Sequence, residues 1–313
     1  MNEIPDYNVE EITLKNYNVE IKKIILYNLK KYTKLKVFDC NNCNLTKLPD
    51  LPNSLDQFLC YQNQLRKLPN LPESLTYLEC NINKLTKLPN LPNLLTKLNC
   101  YHNNLTELPN LPNSLTYLFC YNNNLTELPN LPNSLKYLYC DNNKLIKLPN
   151  LPNSLFGIDC FNNNLTELPD LPNSLKNLYC HNNNLTELPD LPNSLTYLNC
   201  INNNLTELPD LPNSLIKLFC NNNNLTELPD LPDTLTYLDC TNNSLHLTYH
   251  DLKIKTINQT NTKNKAIKKM KLLNRILLLE HSARICLNPK RIQRLLNTNE
   301  INFFDGSFDN LTH

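Results

Sequence analysis

The apolar positions of the chain fall into a frame that recurs every twenty residues. Aligned on its cysteine, one unit reads Leu115-x-x-Leu118-x-Cys120-x-x-Asn123-x-Leu125-x-x-Leu128-Pro129-x-Leu131-Pro132, and eleven such units run from Cys40 to Cys240. Leu118 and Cys120 stand two apart, so on a strand both point to one face while Tyr117, Phe119 and Tyr121 point to the other. Each unit therefore predicts one short parallel strand. After the strand the chain turns back, and Asn123 sits where a buried amide can satisfy the backbone groups that the turn leaves unpaired. About ten residues separate Leu125 from Leu135, and two prolines interrupt them, so the return segment cannot be a helix. The proline spacing of three equals one turn of polyproline II, which predicts an extended return with Leu125, Leu128 and Leu131 completing the interior.

This frame matches the leucine-rich-repeat pattern L-x-x-L-x-L-x-x-N/C-x-L, with cysteine in the third apolar slot and Cys43 replacing the asparagine of the first unit. One unit buries too little apolar surface to offset the ordering of its backbone, so units must share a continuous core and the open ends need caps. Three regions follow. Residues 1–34 form an amino-terminal cap, in which VEIKKIILYNLKKYT places Ile21, Ile25, Leu29 and Tyr32 on one helical stripe. Residues 35–244 are the array, and residues 245–313 are a basic, mostly helical carboxy-terminal cap or tail. The fold class is an α/β solenoid: a leucine-rich-repeat horseshoe with about eleven short parallel strands on its concave face, an extended convex side and helical caps at both ends.

Composition sharpens this picture. Twenty of the 22 prolines belong to the repeat, in ten pairs from Pro49/Pro52 to Pro229/Pro232. Only two glycines occur, so the chain seldom relies on glycine turns. Thirteen cysteines would suggest a disulfide framework in a small secreted chain, but eleven stand twenty apart in inward slots, where parallel side chains make poor disulfide geometry. They read as reduced thiols packed as small hydrophobes. The net charge of +1 conceals an acidic array followed by a basic tail: residues 251–313 carry twelve Lys or Arg against five Asp or Glu. Neither a secretory leader nor an apolar run of membrane-spanning length appears, which predicts a soluble, cytoplasmic protein.

Candidate chemistry is sparse. His246 and His250 are four apart but have no cysteine or carboxylate cluster beside them, so no metal is expected. Cys286, five residues after His281, is the candidate nucleophile of a thiol-dependent enzyme. No glycine-rich phosphate loop, serine elbow or paired-carboxylate motif is present, and no cofactor is expected. Lys268, Lys269, Lys271, Lys290, Arg291 and Arg294 flank apolar positions in the tail, which suits either a closing pair of helices or a basic surface for nucleic acid or membrane.

With LPxLP on the return segment and twenty residues per unit, the array resembles the bacterial class of leucine-rich repeats found in type III secreted effectors. Some members of that family carry a large helical ubiquitin-ligase domain after the repeats. Only about 70 residues follow the array here, and such a domain does not fit them. The Asn-rich, Ala-poor style is also similar to leucine-rich-repeat proteins of mimivirus-like giant viruses. That resemblance implies an intracellular binding protein.

Function is then expected where the frame leaves letters free, on the outward face of the strands. Tyr117, Phe119, Tyr121, Tyr137, Tyr139, Phe161 and Tyr179, with Asp141 and Asp159 beside them, make the candidate site. Clustered exposed aromatics favour a protein partner, because they supply contact area at low entropic cost. Tyrosine and phenylalanine are also good strand formers whose neighbours stack without any partner. The expectation is a non-enzymatic, monomeric protein-interaction module with no small-molecule substrate. The acidic array argues against holding nucleic acid there, and membrane docking is not expected of it. Thiol transfer through Cys286 and binding through the tail are the alternatives.

Overall fold

The computed structural model describes residues 3–245. Twelve parallel strands of three residues each form one sheet in chain order. They are β1 (Glu11–Thr13), β2 (Val37–Asp39), β3 (Gln57–Leu59), β4 (Tyr77–Glu79), β5 (Lys97–Asn99), β6 (Tyr117–Phe119), β7 (Tyr137–Tyr139), β8 (Gly157–Asp159), β9 (Asn177–Tyr179), β10 (Tyr197–Asn199), β11 (Lys217–Phe219) and β12 (Tyr237–Asp239). From β2 onward each residue pairs with its equivalent twenty positions on, as in Leu118↔Leu138, so every column of the frame becomes a row across the sheet. This is the leucine-rich-repeat solenoid that the pattern predicts. The twelfth strand comes from the cap: β1 lies outside the periodic frame and pairs with β2 through Ile12↔Phe38.

The rest of the cap covers the first repeat. Helix α1 (Val19–Tyr27) starts at Asn18, whose Oδ1 accepts the backbone N–H of Ile21 at 2.9 Å and so satisfies one of the free donors of the first turn. A 3-10 turn at Leu29–Lys31 follows, so the stripe expected over residues 19–33 is split between two elements. Ile25, Leu29 and Tyr32 are buried, while Ile21 is half-buried. Phe38 and Phe58, with rings 6.0 Å apart, replace the strand leucine in the two repeats nearest the cap. The proposed carboxy-terminal cap lies outside the described residues.

Inside, Leu115, Leu118, Cys120 and Leu125 are fully buried, and so are their equivalents in most repeats. The return segments contain neither helix nor strand. Leu131 departs from expectation, being half-buried, whereas Pro132 is buried and so are the second prolines of the other pairs. The residues that turn inward are thus Leu128 and Pro132, four apart, so the segment does not keep a strict threefold period. The backbone then closes a tight turn in which the N–H of Leu135 donates to the Pro132 carbonyl at 3.0 Å. Ser134 Oγ donates to the Leu115 carbonyl of the preceding repeat at 2.6 Å, a bond that recurs along the serine column. Leu94 occupies that column in one repeat and is 56 % exposed.

Asn123 works as expected, and across repeats. Its Oδ1 accepts from Leu105 N at 3.0 Å, and its Nδ2 donates to the carbonyls of Cys100 at 3.1 Å and Cys120 at 3.0 Å. The asparagine one position earlier explains the near absence of glycine. Asn122 has φ of 52°, the left-handed region, and the equivalent residue of every repeat does the same. Asparagine tolerates that region better than other side-chain-bearing residues. Gln62, Ile82 and His102 fill the position in three early repeats, and Ile82 is a β-branched residue held at φ 53°.

Candidate interaction face

The strands' outward residues form three columns on the concave face, two within each strand and one just after the cysteine. Because neighbouring strands are about 4.8 Å apart, two rings in the same column of adjacent repeats are held at stacking distance by the backbone alone. Tyr117 and Tyr137 stack at 5.2 Å with 9° between their planes, and Phe119 and Tyr139 stack at 4.7 Å with 8°. Tyr117 also lies flat beside Phe119 at 6.4 Å, so these four rings on β6 and β7 form one block. Lys97 on β5 sits with its Nζ 4.9 Å from the Tyr77 ring centre and 5.8 Å from that of Phe119, within cation–π range of both.

The remaining candidates join other stacks. Tyr121 pairs with Tyr101 at 4.4 Å, and Phe161 pairs with His181 at 4.2 Å, both in the third column. Tyr179 begins a row whose other members are not in the candidate set. It contacts Tyr197 at 4.6 Å, Tyr197 contacts Phe219 at 5.4 Å, and Phe219 contacts Tyr237 at 4.6 Å, with planes tilted by 31° to 33°. These rings alternate between two columns, so each meets its neighbour along a diagonal instead of straight across. The signal was present in the sequence as four aromatics in successive repeats, but their contact depends on the register of the sheet.

Between block and row the face changes character. Gly157 opens β8, and a Cβ built there would lie 3.3 Å from the Tyr137 ring, so the glycine lets that ring lean across the neighbouring strand. Asp159 pairs in register with Tyr139 on one side and Tyr179 on the other. Asp141, in the third column of the preceding repeat, is only 6 % exposed, and its Oδ2 accepts from Asn142 Nδ2 at 2.7 Å. Burial raises the carboxyl of Asp141 above its usual range. Burial, and then repulsion from Asp141, push Asp159 up to about 7. Two carboxylates, one buried and one half-buried, thus share an aromatic surround.

The twelve cysteines among the described residues are free thiols. Burial pushes those of the interior column from Cys40 to Cys220 above the ordinary thiol range, which leaves them un-ionised and poorly nucleophilic. Among the described residues no group of three or more His, Cys, Asp or Glu is placed to hold a metal ion, and no helix is long and apolar enough to cross a membrane. His246, His250, Cys286 and the basic positions of the tail lie outside the described residues.

No protein-family model and no curated protein matches the chain. Solved structures do. YopM from Yersinia enterocolitica is 36 % identical over 69 % of this chain and 52 % of its own, with a TM-score of 0.64. The chain therefore spans about half the length of that structure. A functional domain of InlJ from Listeria monocytogenes, which includes a cysteine ladder, is 35 % identical over 62 % of this chain and 45 % of its own, with a TM-score of 0.53. The leucine-rich-repeat domain of APL1B shares the fold at 19 % identity, covering 72 % of this chain and 74 % of its own with a TM-score of 0.56.

Proposed function

We propose that this chain, a leucine-rich-repeat protein of the bacterial-effector type, is a non-enzymatic module that holds a protein partner on its concave face. The observation that carries the reading is the break in uniformity. Columns inside the solenoid largely repeat one residue type, whereas the outward columns concentrate aromatics into a flat block on β6 and β7 and a tilted row from β9 to β12. Aromatics in contact on a solvent-facing sheet bring large area at little entropic cost, as at the centres of protein interfaces. The interior thiols are un-ionised, which is what a packing role requires and a nucleophile does not.

Replacing Tyr117, Tyr139 and Phe161 with alanine tests the reading. Capture of the native partner from the host cell should be lost while the far-UV circular dichroism stays that of the parent chain. Undiminished capture by the triple variant overturns the assignment.

A further inference from the structure

The carboxylates at the centre of the face specify what the partner brings, if the concave face is the docking surface. We propose that Asp141 and Asp159 seat the guanidinium of an arginine carried on an extended segment of the protein partner. Four aromatic residues flank the pair: Tyr139 and Tyr179 lie beside Asp159 in its own column, and Tyr121 and Phe161 hold the positions either side of Asp141 in the third. The ion pairs among the described residues are Lys23–Glu20 and Lys30–Asp50, so neither aspartate is matched by a cation. The titratable groups acting on Asp159 and Asp141 are each other, Tyr121, Tyr139, Tyr179, Tyr197, the thiols of Cys120, Cys140 and Cys160 beneath them, and His102 near Asp141. None of these carries a fixed positive charge.

A second observation on the same face points to the same chemistry. Asn81 and Asn99, 1 % and 8 % exposed, stand in the same diagonal relation three repeats earlier, and the Oδ1 of each is buried with no hydrogen-bond partner, as are His181 Nδ1 and Asn221 Oδ1 further along the third column. What these acceptors lack is a donor within hydrogen-bond reach, Lys97 Nζ lying instead over the neighbouring Tyr77 and Phe119 rings. Guanidinium carries five donors and no acceptor, is planar, binds carboxylates in a forked geometry and stacks on aromatic rings, whereas an ammonium is a hydrated point charge. Three repeats at about 4.8 Å span about 14 Å, the length of about four residues of extended chain, so one segment running along the array reaches both places.

The test uses the full-length protein and a fluorescein-labelled extended peptide with arginines four residues apart, beside the same peptide with citrulline at those positions. The arginine peptide should bind saturably and the citrulline peptide at least about tenfold more weakly, and D141N/D159N should lose a similar factor. Binding of the arginine peptide should weaken from about pH 8 to about pH 6, and the dependence should be smaller in D159N, where only Asp141 is left to titrate within the seat. Equal binding of the two peptides, no effect of D141N/D159N, or no saturable binding of the arginine peptide overturns the assignment. Native-partner capture separates this outcome from failure of the underlying reading. If D141N/D159N captures normally while the aromatic triple variant does not, the arginine seat is wrong and the docking face stands; if both capture normally, both fall.

Discussion

The inside and the outside of this solenoid are built from the same strands and obey different rules. In the interior a residue type is largely kept, with Phe38, Phe58 and Ile158 the substitutes in the strand column, and Asn63 to Asn243 hold the same bonds repeat after repeat, at distances that barely vary. On the outward face, Tyr117 meets Tyr137 flat and Tyr197 meets Phe219 at a tilt, and Gly157 and Asp159 interrupt them. Uniformity is what a stacked core demands, since each layer must fit the next. Variation in the presence of that demand marks positions the fold does not determine.

The sharpest way to break this contrast is Asn123→Ala. It leaves the buried Leu105 N–H without its acceptor and takes one of two amide donors from each of the Cys100 and Cys120 carbonyls, which keep Asn103 and Asn143, so it should lower stability by about 2 to 3 kcal/mol in urea unfolding. A loss below about 1 kcal/mol would mean that the amide ladder is dispensable. Phe119→Ala should cost less, about 1 to 2 kcal/mol, because it removes a half-buried stack and leaves no polar group unpaired. Asp159→Asn should act in the opposite direction. The folded-state carboxyl titrates at about 7, above its unfolded value, so the folded state holds the proton more tightly. Stability of the parent chain should therefore rise as pH falls from about 7 to about 4, and the variant should exceed it by about 1 kcal/mol at pH 8, discounted for a half-exposed site, with the gap closing in acid. Smallest is Ile82→Asn, which relieves a β-branched residue at φ 53° and should raise stability by about 0.5 to 1 kcal/mol. Thermal melts of matched samples order these last two.

Much of the fold was legible because periodicity samples each position many times: Cys120 inward, Asn123 at the turn and a helix-free return all follow from spacing. What escaped shares a cause. Ile12 lies outside the frame, so nothing repeated announces β1. The exchange of Leu131 for Pro132 in the interior turns on exact backbone angles, which proline spacing alone does not set. Asn122 looks like a solvent-facing polar residue until its positive φ is known. On the face, the candidate residues were found by counting strand positions, but sorting them into a block, two outer pairs and a diagonal row required the register, and so did the juxtaposition of Asp141 with Asp159.

The amide ladder also has a direction. Each asparagine reaches back 18 residues to a leucine N–H and 23 to a cysteine carbonyl, never forward to the next repeat. A repeat's turn is thus finished only by the one made after it. During synthesis, with the amino terminus emerging first, the cap and first repeat give the growing end a template, and each new asparagine seals the turn just behind it. The array can assemble vectorially at the pace of the ribosome, leaving about one repeat open at any moment.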